Sequence, residues 1–154
     1  MTKLVQAPFA PPVAGGSPLP ASRALRAFEL HERIEAALAA PLTELREQLP
    51  RLLPRKAFFE GHFVLGLRSP PAAGPLDAGY SRVDLEVAVD GAAEQAAVIC
   101  RRTTRGRDWP RQSLPHTTLD AAGFATLIGW CEERLLEFAQ REFDATSAAP
   151  VRLS

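Results

Sequence analysis

An α+β fold is predicted for this chain: two layers, with a helix at each end of three antiparallel strands and both helices on one side of the sheet. Three observations predict it. Apolar residues recur at helical spacing from Leu25 to Leu38, Val83, Leu85, Val87 and Val89 alternate with Arg82, Asp84, Glu86 and Ala88 ahead of Asp90-Gly91, and a second helical spacing runs from Phe124 to Phe138. The 154 residues are 46% hydrophobic, which supplies one core of ordinary size without covalent staples.

The 14 prolines leave four windows free of proline, 21–40, 55–69, 76–109 and 116–149. Regular elements belong there, because proline lacks an N–H and fixes φ. Residues 1–21 read as a flexible arm rich in Pro and Ala, 22–144 as one α+β domain, and 145–154 as a flexible tail. A PxxP spacing, Pro8 to Pro11, lies within the arm but is too short to define a docking peptide.

Leu30, Ile34 and Leu38 define the inner side of the first helix, with Leu25 and Phe28 extending it and Glu29, Glu32, Arg33 and Glu35 opposite. Pro41 ends or kinks this helix and can open a shorter segment whose Leu42, Leu45 and Leu49 continue the apolar edge, with Leu52-Leu53-Pro54 as connector. A first strand is expected over 57–67, with Phe59, Phe63, Leu65 and Leu67 on one face. Val83, Leu85, Val87 and Val89 mark the second. Asp90-Gly91 then turns the chain into a third over 96–104, whose buried face the pattern leaves open. Thr117 and Asp120 have capping-box spacing ahead of a last helix facing inward through Phe124, Ile128, Cys131, Leu135 and Phe138.

Lys+Arg and Asp+Glu both number 18, so no net charge draws the whole molecule to nucleic acid or membrane. No apolar run is long enough to span a bilayer and no secretory leader is legible, so a membrane partner is not expected. Cys100 and Cys131 are too few for a disulfide framework and fit two reduced, packed thiols, so a cytoplasmic location is expected. No cofactor motif is present: neither a Gly-x-Ser-x-Gly elbow nor a phosphate loop. Asp84 and Glu86 share a strand face that Glu60 and His62 can approach; alternating acids on a wet face are the ordinary explanation, and no metal is assigned.

Two stretches carry possible chemistry. Arg101, Arg102, Arg105, Arg107 and Arg111 against Asp108 give a net +4 over residues 101–111, with Trp109 among them. Such a strip can grip phosphates and stack a base; equally, the net −3 of residues 112–154 can neutralise it within the chain. Phe58-Phe59-Glu60-Gly61-His62-Phe63 resembles the FFxGHF segment of hot-dog-fold hydroxyacyl-carrier-protein dehydratases, and the resemblance implies His62 as an acid–base residue beside a thioester carbonyl. It covers six residues, and Val64 stands where the family has proline. The helix–three strands–helix order is also similar to that of double-stranded-RNA-binding domains, with Gly74-Pro75 and Val89-Asp90-Gly91 as matching pieces; the basic run that opens that family's last helix is replaced by Thr117-Thr118-Leu119-Asp120-Ala121.

These readings converge on a non-enzymatic, cytoplasmic binding protein that contacts another protein, or a second copy of itself, through its amphipathic helices or a sheet edge. An RNA-binding module using the 101–111 strip and a thioester enzyme centred on His62 are the alternatives.

Overall fold

A computed structural model describes residues 20–59, 62–70 and 79–153, with side chains over 22–59, 62–70 and 79–145. The element order is α1 (Pro20–Gln48), β1 (Leu53–Phe59), β2 (His62–Arg68), β3 (Arg82–Asp90), β4 (Gln95–Thr104), β5 (Arg107–Asp108), β6 (Gln112–Thr118) and α2 (Ala121–Leu153). The α+β class holds, but the strand count does not. Six strands form one antiparallel sheet in the order β1-β2-β3-β4, with β5 and β6 both laid against β4.

The two added lanes are edges, and that is why their pattern was hidden. β1 and β6 bury little, so neither needs alternating apolar residues, and each carries a proline, Pro54 and Pro115. The expected strand over 57–67 is two strands, with Phe59 opposite His62 in the β1–β2 pairing. Phe59 therefore lies off the face that Phe63, Leu65 and Leu67 share. The ambiguity of β4 is resolved by its register: Val98 opposes Val87 and Cys100 opposes Leu85, so Ala96, Val98, Cys100 and Arg102 face the helices.

Pro41 lies inside one continuous helix. An interior proline forfeits a backbone hydrogen bond, at roughly 3 kcal/mol, but Leu45 and Leu49 beyond it join Leu30, Ile34 and Leu38 in the core, and their burial holds the helix in phase. Leu25 and Phe28 stay 60% and 50% exposed rather than extending that face. In α2 the core contacts are Leu127, Cys131, Leu135 and Phe138, while Phe124 and Ile128 are only half-buried. Asp120 alone is the cap: its carboxylate accepts from the Gly123 N–H at 2.7 Å, and Thr117 belongs to β6. α2 continues past residue 144, to Leu153; residues 1–19 of the expected arm lie outside the described residues.

Asp90 closes the β3–β4 turn by accepting from the N–H groups of Ala92 and Ala93. Gly91 is required there because a Cβ would come within 2.4 Å of the Arg23 carbonyl oxygen on α1.

Candidate functional site

Both helices cover the same sheet face, and strand alternation sorts the functional candidates between that face and the other one. His62 lies on the second face, opposite Ala88, its ring 5.4 Å from Phe59; among the described residues no acid is paired with it. Glu60 and Gly61, its neighbours in the hot-dog-like segment, lie outside the described residues. Asp84 sits four residues along β3 from Ala88, about 13 Å away. Its carboxylate is nearly buried among Arg68 at 3.1 Å, Arg82 at 3.6 Å and Arg55 at 3.8 Å. Gly66 makes room for this cluster, since a Cβ there would approach Asp84 Oδ1 to 2.7 Å and the Val83 carbonyl oxygen to 2.1 Å. Among the described residues no group of His, Cys, Asp and Glu is arranged to hold a metal ion.

The 101–111 arginines do not form one strip. Arg101 faces the second side of the sheet, 3.9 Å from Glu86. Arg102 faces the helices and is 3% exposed; it donates to the Arg134 carbonyl, to Glu137 at 2.9 Å and to Gln112 at 2.8 Å. The Arg102 hydrogen bond holds the Glu137 carboxyl below its ordinary pKa. Trp109 turns inward beside it, donating Nε1–H to Thr104 Oγ1 at 2.9 Å. Two guanidiniums stand over its indole, Arg102 at 4.0 Å and Arg141 at 3.9 Å, so the ring expected as a base-stacking platform already carries two cations. Arg107 and Arg111 are exposed and Arg105 is half-buried. Nothing in the sequence ties Arg141, on the last helix, to Trp109; only the folded proximity of the two reveals its place.

A third region was invisible in the pattern. Phe58 is 61% exposed and Phe59 45% exposed, on opposite faces of β1, an edge that pairs only with β2 among the described residues, and Phe28 from α1 lines the same cavity as Phe58. Between α1 and β1 lies a cavity of about 160 Å³ lined by Phe28, His31, Glu32, Glu35, Lys56, Ala57, Phe58 and Phe63. The His31 ring is 6% exposed and packs edge-on against Phe63 at 4.3 Å and Phe58 at 5.0 Å, with neither nitrogen hydrogen-bonded. Burial lowers its pKa, against the opposing pull of Glu35. Lys56 pairs with Glu35 across the rim. A larger groove, about 370 Å³, runs between α1 and α2 past Pro41, Leu45 and Leu136.

Cys100 and Cys131 sit in the core, and burial pushes their thiols up to about 11 and about 12. They are therefore protonated near neutrality and poor nucleophiles. No helix among the described residues is long and apolar enough to cross a membrane. Comparison with protein-family models, curated proteins and solved structures yields no match to this chain.

Proposed function

We propose that this chain is a non-enzymatic binding protein that docks an extended segment of a partner protein along the free edge of β1. The observation that carries the reading is the asymmetry of the two sheet edges. Each edge carries one proline, Pro54 near the start of β1 and Pro115 in the middle of β6, but the far edge is also interrupted between β5 and β6 and bulged against β4, features that discourage strand addition. The last three residues of β1, Ala57-Phe58-Phe59, carry no charge and no proline, and they present aromatic side chains toward both sheet faces. Phe28 widens the patch on the helix side, and the cavity behind Phe58 offers a recess for a side chain of the incoming strand.

Added strands gain affinity from main-chain hydrogen bonds and specificity from pockets that take alternate side chains. β1 supplies both kinds of contact. The buried ionisable groups favour binding over catalysis: Asp84 is engaged by arginines, Glu142 by Arg51 and Ser81, and the thiols are held protonated.

Selection of random octapeptides displayed on phage against the full chain tests the reading. Peptides so obtained should bind Phe58→Asp and Phe28→Ala at least about tenfold more weakly, since exposed aromatic anchors dominate such interfaces, and should slow amide exchange at Ala57–Phe59. Both side chains are half-exposed or more, so the variants should fold. Undiminished binding to both, with protection appearing elsewhere, would remove the edge as the docking site.

A further inference from the structure

The recess between α1 and β1 grades from a wet mouth to a dry floor. Phe28, His31 and Glu35 stand at i, i+3 and i+7 on one stripe of α1, and Lys56 and Phe58 alternate along the side of β1 that faces it. Phe28 and Phe58 are half-exposed or more, and Lys56 pairs with Glu35 at the mouth, whereas His31 and Phe63 are buried. Four rings, those of Phe28, His31, Phe58 and Phe63, thus line a cavity of about 160 Å³.

His31 is the anomaly on that floor. It is 6% exposed, and among the described residues neither ring nitrogen has a hydrogen-bond partner. Burial lowers its pKa, so near neutrality the ring is uncharged and carries one N–H donor and one acceptor nitrogen. Phe58 and Phe63, inclined to it by 70° and 66°, offer the N–H a weak π acceptor. The acceptor nitrogen has no equivalent. A π face supplies no proton, and the ammonium of Lys56 is drawn to Glu35 at the mouth. A buried acceptor left without a donor is unfavourable, and an incoming hydroxyl removes that penalty.

We infer, on the premise that a partner segment docks along β1, that the recess receives the phenol of a tyrosine in that segment, its hydroxyl donating to His31. A strand added to β1 turns every second side chain toward the helices, and side chains directly opposite on paired strands are neighbours, so the residue opposite Phe58 enters the space between β1 and α1. The aromatic lining favours a ring, which meets other rings edge to face. A phenol also carries its donor at the tip, farthest from the added strand and nearest the buried imidazole. Phenylalanine fills the same space but leaves the acceptor nitrogen unmatched, and serine brings a donor that stops at the mouth. A turn about the His31 Cβ–Cγ bond, a torsion with a broad preference, presents the acceptor nitrogen to the hydroxyl.

Two measurements on the full chain test this separately from the edge itself. p-Cresol needs no strand: it should bind and shift the His31 imidazole nitrogen signals of the isotope-labelled chain, while toluene should bind about tenfold more weakly and leave them in place. Phage-selected octapeptides that protect Ala57–Phe59 should carry a tyrosine at one fixed position. Tyr→Phe in such a peptide should cost about tenfold on the wild type and at most about twofold on His31→Phe, the coupling that a direct contact gives. The peptide substitution alters nothing in the protein, so the wild-type result stands even if His31→Phe folds poorly. Peptides that protect β1 yet tolerate Tyr→Phe, or toluene bound as tightly as p-cresol, would overturn the phenol and leave docking at the edge intact. Peptides that protect only other regions would overturn the edge and the tyrosine together, even where p-cresol still enters the recess.

Discussion

His31 shows how one buried side chain writes a pH dependence into the fold. In the unfolded chain its imidazole titrates near the ordinary value of about 6.5. In the folded chain burial lowers that value: the ring lies against Phe58 and Phe63, Glu35 opposes the shift, and His62 reinforces it. Lys56 and Glu32 complete the charged groups around the cavity. As pH falls below about 6.5 the unfolded chain therefore takes up this proton before the folded chain does, and stability declines with acid. The contribution is complete above pH 6.5 and its slope is bounded by about 1.4 kcal/mol per pH unit. Urea unfolding at pH 7.5 and pH 5.5 checks this: His31→Phe should lose less stability on acidification than the wild type. Equal losses would assign the acid sensitivity to other groups. Gly66 makes a steric case at the same scale. Its missing Cβ is what lets Asp84 and the Val83 carbonyl approach, so Gly66→Ala should cost roughly 1–3 kcal/mol or more, read as a lowered urea midpoint.

At the scale of elements, a buried carboxylate ties α2 to the rest of the fold. Glu142 is fully buried; it accepts from Ser81 Oγ at 2.6 Å and pairs with Arg51 at 3.0 Å. Ser81 also accepts from the Arg105 N–H, so the α1–β1 connection, the start of β3, the β4–β5 turn and α2 share one network. Glu142→Ala takes the acceptor from the buried Ser81 hydroxyl and the counter-charge from Arg51, and should cost roughly 2–4 kcal/mol. That is somewhat less than a fully enclosed pair, because Arg51 keeps access to water. Arg51→Ala should cost less than Glu142→Ala, and the reverse order in urea midpoints would place the weight of the network elsewhere. None of this was legible beforehand, since a glutamate among the charged residues of the last helix reads as solvated until the fold brings Arg51 to it. The central strands were legible because burial on one face enforces alternation in Val83, Leu85 and Val87. The edges were not, since β1 and β6 bury too little to impose any period. Periodicity likewise located α2 but shifted its inner face, taking Phe124 and Ile128 where Leu127 packs deepest.

For the whole molecule, zero net charge conceals a segregation that only the fold displays. Strand alternation sends Arg101 to one face and Arg102 to the other, Arg102 spends its donors on Gln112, Glu137 and the Arg134 carbonyl, and three arginines surround Asp84. An extended nucleic-acid groove needs cations in sequence along one surface. From residues 101–111 the fold places Arg105, Arg107 and Arg111 around the Trp109 turn, at most three cations and too few to track a strand. Single-stranded RNA binding weakens with salt at about −0.7 in log K per log salt for each phosphate neutralised, so three such contacts set a slope near −2. Retention of oligouridylate measured from about 50 to 200 mM salt should therefore show a slope no steeper than about −2, and Arg105, Arg107 and Arg111 changed together to Ala should abolish what binding there is. A slope several units steeper, lost in that triple variant, would mean that the arginines gather a longer stretch of backbone than their placement allows, and the molecule would then be an RNA-binding module.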